Sequence, residues 1–454
     1  MQRTDSRGAA SRCTRGGAGG VAPRPPRRFR PSKVQVVLAL ACGVVFALAA
    51  PGGRVGAQEK VSRSAALGLQ EALERALGHN KDLAAFEYRI VEQQGRLEQA
   101  GLLPNPELDL SVEDVAGTGI YEGFDSAQTT LSIGWVLEGR IRAGRVGAAK
   151  AGAELVSAEA RILRVEVAAD TAEHFLASLA SQARLERAEE AIALTEQTVK
   201  AVTRRVRAGK APTVELVRAE AELATDRLAR DDVTYELAAA YHRMAAQWGE
   251  AEPSFSRVEG DLLALPTVEP YAVLTEGLER YPQLARYATE KRLAKANVRL
   301  AEARRWPTLR PHLGVRRFEA TNDTALVAGV SVPIPVLNRN QGEVVKSRAS
   351  VSRARAEADA ARVRLQTTLF ELYEELQHHF HRAETLRAEV IPRLTEASDA
   401  TRRAYERGRY GYLELRSVQT DLLRAQGELV EASAGAHRLM IALERLTGQR
   451  VVRK

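Results

Sequence analysis

The chain repeats itself at a spacing of about 200 residues, and each copy contains helices too long for a globular core. Val206-Arg-Ala-Gly209-Lys-Ala-Pro-Thr-Val-Glu215-Leu216 corresponds to Tyr405-Glu-Arg-Gly408-Arg-Tyr-Gly-Tyr-Leu-Glu414-Leu415 at an offset of 199. Asn80-Lys-Asp-Leu83 matches Tyr281-Pro-Gln-Leu284, and Pro106-Glu-Leu108 matches Pro307-Thr-Leu309, both at 201. Each copy reads helix, two strands, very long helix, tight turn, long helix. The helices carry apolar seams in steps of three and four. One runs Leu415, Val418, Leu422, Ala425, Leu429, Ala432, Ala436, Leu439, Leu443, Leu446. Another runs Leu365, Leu369, Leu372, Leu376, His379, Ala383, Leu386, Val390. A repeat of 3.5 drives left-handed supercoiling against neighbours, and the many small seam residues permit close approach. A continuous helix from Arg142 to Val206 would reach about 100 Å at 1.5 Å per residue. That suits a helical tube or a rod. Pro392, just past the end of the second seam, should kink its long helix.

Between the first two helices of each copy lie two alternating runs. Leu108, Leu110 and Val112 alternate with Asp109, Ser111 and Glu113; Leu131, Ile133 and Trp135 alternate with Thr130, Ser132 and Gly134. The second copy has Leu309, Leu313 and Val315, then Leu326, Ala328, Val330, Val332 and Ile334. Runs of roughly ten residues with one apolar face suit tilted membrane strands. They equally suit soluble hairpins packed on helices. Four strands cannot close a barrel alone, so the membrane reading requires several chains.

The net charge of +8 is confined to the leader. Residues 1–57 hold ten Lys and Arg against Asp5, so the remainder is close to neutral at −1 and carries no nucleic-acid signature. After the basic stretch comes an apolar run, Val34 to Ala50, and then Val55-Gly56-Ala57 before Gln58. A basic region, an apolar run and a small-residue exit make a secretory signal, which divides the chain into 1–57, a first repeat 58–255 and a second repeat 256–454. A permanent anchor is the competing reading, although the run is short for a span. Cys13 and Cys42 both fall in this leader, so the exported chain has no thiol for a disulfide or a cysteine metal site. Cys42 is also a candidate lipidation site.

Two words carry a resemblance: Ala100-Gly-Leu-Leu-Pro104-Asn105-Pro106-Glu-Leu108 and Pro333-Ile-Pro335-Val-Leu-Asn338-Arg-Asn340-Gln-Gly342. With the duplication, they make the chain resemble the outer-membrane factor family typified by TolC, in its CzcC-like branch associated with heavy-metal export. The resemblance covers about Leu67 to Gly448. It implies a mainly α protein with a membrane β-part: a trimer giving four strands per chain to a twelve-stranded barrel, continued by a long α-helical periplasmic barrel. It further implies outer-membrane lipid around the barrel, a periplasmic membrane-fusion adaptor, and an inner-membrane pump of the resistance-nodulation-division class.

Within that frame Pro333 and Pro335, which cannot donate to a ladder, mark the passage from strand to helix, with Asn338, Asn340 and Gly342 beside them and Gly139 in the first copy. The turns at Gly209 and Gly408 become the periplasmic tips. Glu215 and Glu414 then stand where relatives carry a tip acid, and in a trimer they could ring the entrance. Alternatively they are first-turn acids favoured by the helix dipole, with Thr213 as N-cap. Arg207, Lys210, Arg407, Arg409 and Tyr412 are candidates for adaptor contact. His378, His379 and His381 suggest a metal site, but His379 falls on the apolar seam and packing is the preferred reading. No metal or cofactor is expected.

No phosphate-binding glycine loop, zinc-protease motif or nucleophile elbow is present, so no enzymatic role is expected. The leading expectation is a passive outer-membrane conduit for metal cations or small toxic molecules. The exit duct of a type I protein secretion system shares the fold, and a periplasmic coiled-coil scaffold is the alternative of a different class.

Overall fold

A computed structural model describes residues 66–451; the leader, with its two cysteines and the expected cleavage site, lies outside the described residues. A two-residue strand β1 (Leu67–Gly68) is followed by helices α1 (Leu69–His79) and α2 (Lys81–Gly101). Asn80 breaks the two helices and caps the second, its Oδ1 accepting from the amides of Asp82 at 2.9 Å and Leu83 at 3.1 Å. Strands β2 (Glu107–Glu113) and β3 (Gln128–Gly134) lead into the 68-residue helix α3 (Arg140–Arg207) and its return α4 (Thr213–Ala246). The second copy begins after β4 (Val258–Glu259) and the short α5 (Tyr271–Glu276), and comprises α6 (Pro282–Ala303), β5 (Arg310–Phe318) and β6 (Asp323–Ser331). Then come α7 (Gln341–Thr385), a π-helical turn at Leu386–Val390, α8 (Ile391–Glu406) and α9 (Tyr412–Thr447). Helices α3 and α7 start 201 residues apart, and α4 and α9 start 199 apart, as the repeated words do.

The expected continuous helix from Arg142 to Val206 is present and slightly longer. Its counterpart is interrupted one residue before Ile391-Pro392. Proline lacks the N–H that a regular turn would donate and its ring crowds the carbonyl four residues back; the wider π-turn relieves both.

Strands β2, β3, β5 and β6 form one antiparallel sheet in that order, leaving β2 and β6 as unpaired edges among the described residues. Leu110 opposes Leu131, which opposes Val315, which opposes Leu326, so most of the large apolar side chains fall on one face, while Phe318 and Val327 lie on the other. That face does not pack on the helices. Leu108 is 74% exposed and Leu326 81% exposed, against the ordinary preference for burying such side chains.

The core lies lower, along the helices. Leu365, Leu369, Leu376, Leu439 and Leu443 form its largest cluster, with Tyr281 and Val451. A second cluster gathers Leu67, Phe175, Met244, Trp248, Phe255 and Val258 around the parallel pairing of β1 with β4. Gln182 of α3 acts as a third strand there. Its Oε1 accepts from the Val258 amide at 2.7 Å and its Nε2 donates to the Val258 carbonyl at 3.1 Å.

Candidate functional site: an open sheet, its junctions and a pair of hairpin tips

The face of the sheet opposite the apolar one is polar. Arg316 on β5 reaches across it, donating to Thr130 Oγ1 at 2.9 Å and Gln128 Oε1 at 3.1 Å, and pairing with Glu113 at 3.1 Å. His312 lies over Gly329, where any side chain would meet the imidazole ring. Asp109 and Ser111 continue this face on β2. The sheet therefore has one greasy side and one wet side, as a wall between lipid and a water-filled lumen requires.

Both junctions below the sheet are rigidly built. In the second copy Pro333 and Pro335 lie in the link between β6 and α7, outside any ladder. Asn338 Oδ1 accepts from the Asn340 amide at 3.0 Å, and Gln341 Oε1 accepts from the Arg339 amide at 2.8 Å. Asn340 sits at φ +57°, and its Nδ2 donates to the Ala301 carbonyl at 2.8 Å, which ties the start of α7 to the end of α6. Gly342 has ordinary helical φ and open space around its Cα, so nothing in the structure requires glycine there. In the first copy Gly139 turns the chain at φ +51° and ψ −114°, a conformation closed to other residues. Arg145 then clamps the corner, pairing through both terminal nitrogens with Glu138 at 2.8 and 2.9 Å and donating to the carbonyls of Ala100 and Leu102. The sequence reading missed this clamp; a lone acid-to-arginine spacing of seven carries no signal for it.

At the far end the turns at Gly209 and Gly408, at φ +68° and +78°, lie side by side. Val202, Ala219, Tyr405, Tyr412 and Leu415 bury one another between them. Tyr405 is fully buried, with its Oη donating to Glu215 Oε2 at 3.0 Å; Tyr412, 3% exposed, donates to Glu222 Oε2 at 2.6 Å. Arg416 pairs with the same Glu222 at 2.9 Å. Arg205 donates to the Tyr405 carbonyl and, at 3.1 Å, to that of Lys210, while its guanidinium lies 4.3 Å from the Tyr405 ring centre. One turn further up, Gln419 donates to Thr198 Oγ1 at 3.1 Å across the same interface. Burial first, and the carboxylate neighbour second, push the Tyr405 phenol to about 12 and raise that of Tyr412. Both phenols therefore keep their protons and stay hydrogen-bond donors.

This corrects three expectations. Thr213 is the first helical residue and caps nothing; Pro212 precedes it and no side chain caps the helix. Tyr412 is interior, so it offers no contact surface. Glu215 and Glu414 are not equivalent, since Glu215 is half-buried under Tyr405 while Glu414 is exposed in the first turn of α9. Arg207, Lys210, Arg407 and Arg409 are exposed, as expected. The signal available in sequence for the missed phenols was their position in a seam, because a buried tyrosine hydroxyl needs an acceptor. Further up, the His379 ring packs on Gly435, leaving no room there for a side chain. No group of three or more His, Cys, Asp or Glu able to hold a metal occurs among the described residues.

The family described as outer membrane efflux protein matches residues 72–250 and again 273–449. The cobalt-zinc-cadmium resistance protein CzcC of Cupriavidus metallidurans is 28% identical over 383 residues, covering 84% of this chain and 90% of CzcC. The nickel-cobalt-cadmium resistance protein NccC of Alcaligenes xylosoxydans is also 28% identical, over 77% of this chain and 75% of its own. Among solved structures, CusC superposes with a TM-score of 0.67 at 16% identity over 84% of this chain and 91% of CusC. The outer membrane protein VceC of Vibrio cholerae gives 0.67 at 19% identity over 84% and 96%. With the family matched across both copies, the chain belongs to the outer membrane efflux proteins, channels of the outer membrane with a periplasmic helical extension.

Proposed function

We propose that three copies of this chain form the outer-membrane duct of a three-part efflux assembly, passing metal cations outward without a chemical step of its own. The observation that carries this reading is the open sheet with its exposed apolar face. An even number of antiparallel strands makes edge β6 antiparallel to edge β2 of a second copy, so three sheets of four strands can close with every backbone group paired. Nine residues at about 3.4 Å each, tilted by about 40°, span roughly 23 Å, the height of an outer-membrane apolar band. The two repeats, 58–255 and 256–454, then supply two strands and one helical hairpin each.

The metal cargo is supported by the relatives, whose names describe cobalt, zinc, cadmium and nickel resistance. A periplasmic adaptor and an inner-membrane pump of the resistance-nodulation-division class complete the assembly, a reading supported by membership of the outer membrane efflux family. The gate is the paired hairpin tip, held closed by the Tyr405–Glu215 and Tyr412–Glu222 bonds. The deciding experiment is the mass of the protein extracted in mild detergent from an outer-membrane fraction. A detergent-dependent trimer supports the shared barrel; a water-soluble monomer overturns it. Cells lacking the gene should then accumulate cobalt, zinc or cadmium, and complementation should reverse this.

A further inference from the structure

The apolar face of the sheet does not stop at the last bond of the ladder. A bridge between Leu137 and Leu309 extends it toward the helices, and exposed Val332 and Ile334 continue its alternation below β6. Three residues beyond the two partners of that bridge stand Arg140 and Trp306, with the guanidinium 5.5 Å from the centre of the indole ring. The ends of α2 and α6 and the starts of α3 and α7 meet at this level, where Arg142 donates to the Gly101 carbonyl at 2.7 Å and Asn340 to that of Ala301. Leu103, Trp306 and Leu337 are exposed there, Leu337 by 90%. Arg140, Arg304, Arg305 and Arg339 are exposed on the same collar and make no ion pair among the described residues. The nearby acids are occupied or lie elsewhere. Glu138 is held by Arg145, Glu302 by Arg348 and Glu343 by Lys346; Glu98 lies a turn lower on α2, and Glu107 is on the wet face of the sheet. At the opposite, outward rim the sign reverses. Arg316 and Arg317 pair with Glu113 and Glu319, and the exposed charges without an ion pair are Asp114, Glu122, Asp125 and Asp323.

Resting on the conduit reading, we propose that this collar is a binding site for an anionic phospholipid of the inner leaflet, its phosphate taken by the guanidinium groups of Arg140, Arg304, Arg305 and Arg339. The surface is continuous with the face that meets lipid, so acyl chains lie on Leu137, Leu309 and Ile334 while the headgroup reaches the arginines. An indole at the boundary between hydrocarbon and water suits a ring with one apolar and one polar side. Stacking on Trp306 steadies Arg140, and a planar guanidinium can grip two phosphate oxygens at once. Phosphatidylethanolamine carries its own ammonium beside its phosphate and gains little from four more cations. Phosphatidylglycerol has no such neighbour. An ordinary aromatic girdle occupies both rims; here the unpaired cations gather at the inner rim alone.

Trp306 itself reports on the test. The full-length trimer is reconstituted in a Trp135→Phe background, and Trp306 fluorescence is quenched with phosphatidylglycerol or phosphatidylethanolamine bearing brominated acyl chains. Adding Trp306→Phe gives the residual signal of Trp248, which is buried among the helices. Phosphatidylglycerol should be preferred by roughly fivefold or more, and the preference should fall as KCl rises. It should vanish in a variant carrying Arg140→Gln, Arg304→Gln, Arg305→Gln and Arg339→Gln. Removing the same number of cations at the far tip, with Arg207→Gln, Lys210→Gln, Arg407→Gln and Arg409→Gln, should leave it intact. Equal quenching by the two lipids, or a preference indifferent to salt, overturns the site even if the collar variant fails to fold. Inorganic phosphate that abolishes the preference where KCl of equal ionic strength does not would assign the arginines to a free anion and overturn the lipid. A collar variant that shifts the reversal potential under a KCl gradient but keeps wild-type quenching would place these arginines in the lumen and overturn it as well. A trimer without lipid preference leaves the conduit standing, whereas a wild-type chain that forms no detergent-stable trimer sinks the conduit reading itself.

Discussion

Single side chains set the strength of the tip. Tyr405 and Glu215, and Tyr412 and Glu222, are both 190 residues apart, so each bond ties one hairpin to the other. A hydrogen bond from a buried neutral donor to a carboxylate contributes about 1.5–3 kcal/mol. Tyr405→Phe keeps the ring packing and removes one such bond, so it should raise the channel's open probability on the order of tenfold while leaving the detergent-stable oligomer intact. Single-channel recording checks this, and an unchanged closed state would show that the bonds do not hold the gate. A second residue-scale effect lies at the strap around β4, where His437 Nε2 meets the Leu262 carbonyl at 3.1 Å. Burial lowers the His437 pKa below 6.5, outweighing the carbonyl bond and Asp261, which both raise it. The unfolded chain thus binds more protons as pH falls through 6.5, and His437 costs stability on the acid side of that value. His437→Gln should shallow the loss of melting temperature between about pH 7 and 5. Glu444 acts in the opposite sense. Burial raises its pKa above 4.5 despite the amide of Val451 at 3.2 Å, so its favourable contribution is lost as pH rises. Melts of Glu444→Gln should therefore gain most near neutrality.

Along the elements, the two long helices show how one proline alters a repeat. Helix α3 runs uninterrupted, whereas its counterpart carries the π-turn at Leu386–Val390, where Leu386 joins Ala383, Ala425, Leu429 and Ala432 in a buried cluster that Val390, Ile391, Leu394, Leu263 and Leu265 pack against. A π-turn accommodates one extra residue, so all of α8 beyond it is rotated by about 100° relative to a plain continuation of α7. Deleting exposed Glu389 together with Pro392→Ala should convert the turn to regular helix while keeping Tyr405 in register with Glu215. Deleting exposed Glu374 from regular α7 should throw that register off by one position. The first variant is expected to give a normal trimer yield and the second almost none, read by gel filtration in detergent. The helices were legible from their seams and the strands from their alternation, because both periods persist over enough residues to be seen. Gly209, Gly408 and Gly139 were legible because the positive φ of a tight turn favours glycine. The pairing of Leu67 with Val258 was not, since two residues show no period. The bonds from Tyr405 and Tyr412 were invisible for another reason. They join hairpins from different repeats, and no local pattern encodes which phenol meets which acid.

At the scale of the whole molecule, the sheet decides between a membrane wall and a soluble hairpin layer, and substitutions on its two faces separate them. Leu131 is central on the apolar face, opposite Leu110 and Val315, and is exposed in the single chain. Ser111 is on the polar face, opposite Thr130 and between Asp109 and Glu113. If the apolar face meets water, Leu131→Arg exchanges one exposed side chain for another and should be within about 0.5 kcal/mol of neutral. If it meets lipid, an arginine near the midplane costs about 2–4 kcal/mol in each of three chains, enough to suppress assembly. Ser111→Arg should be tolerated in both cases, since it faces a wet lumen and two carboxylates. The measurement is the amount of detergent-stable trimer in the outer-membrane fraction for the two variants. Loss for Leu131→Arg with retention for Ser111→Arg requires lipid on one side and water on the other. Equal yields would mean that the exposed leucines face solvent and that the three sheets do not close.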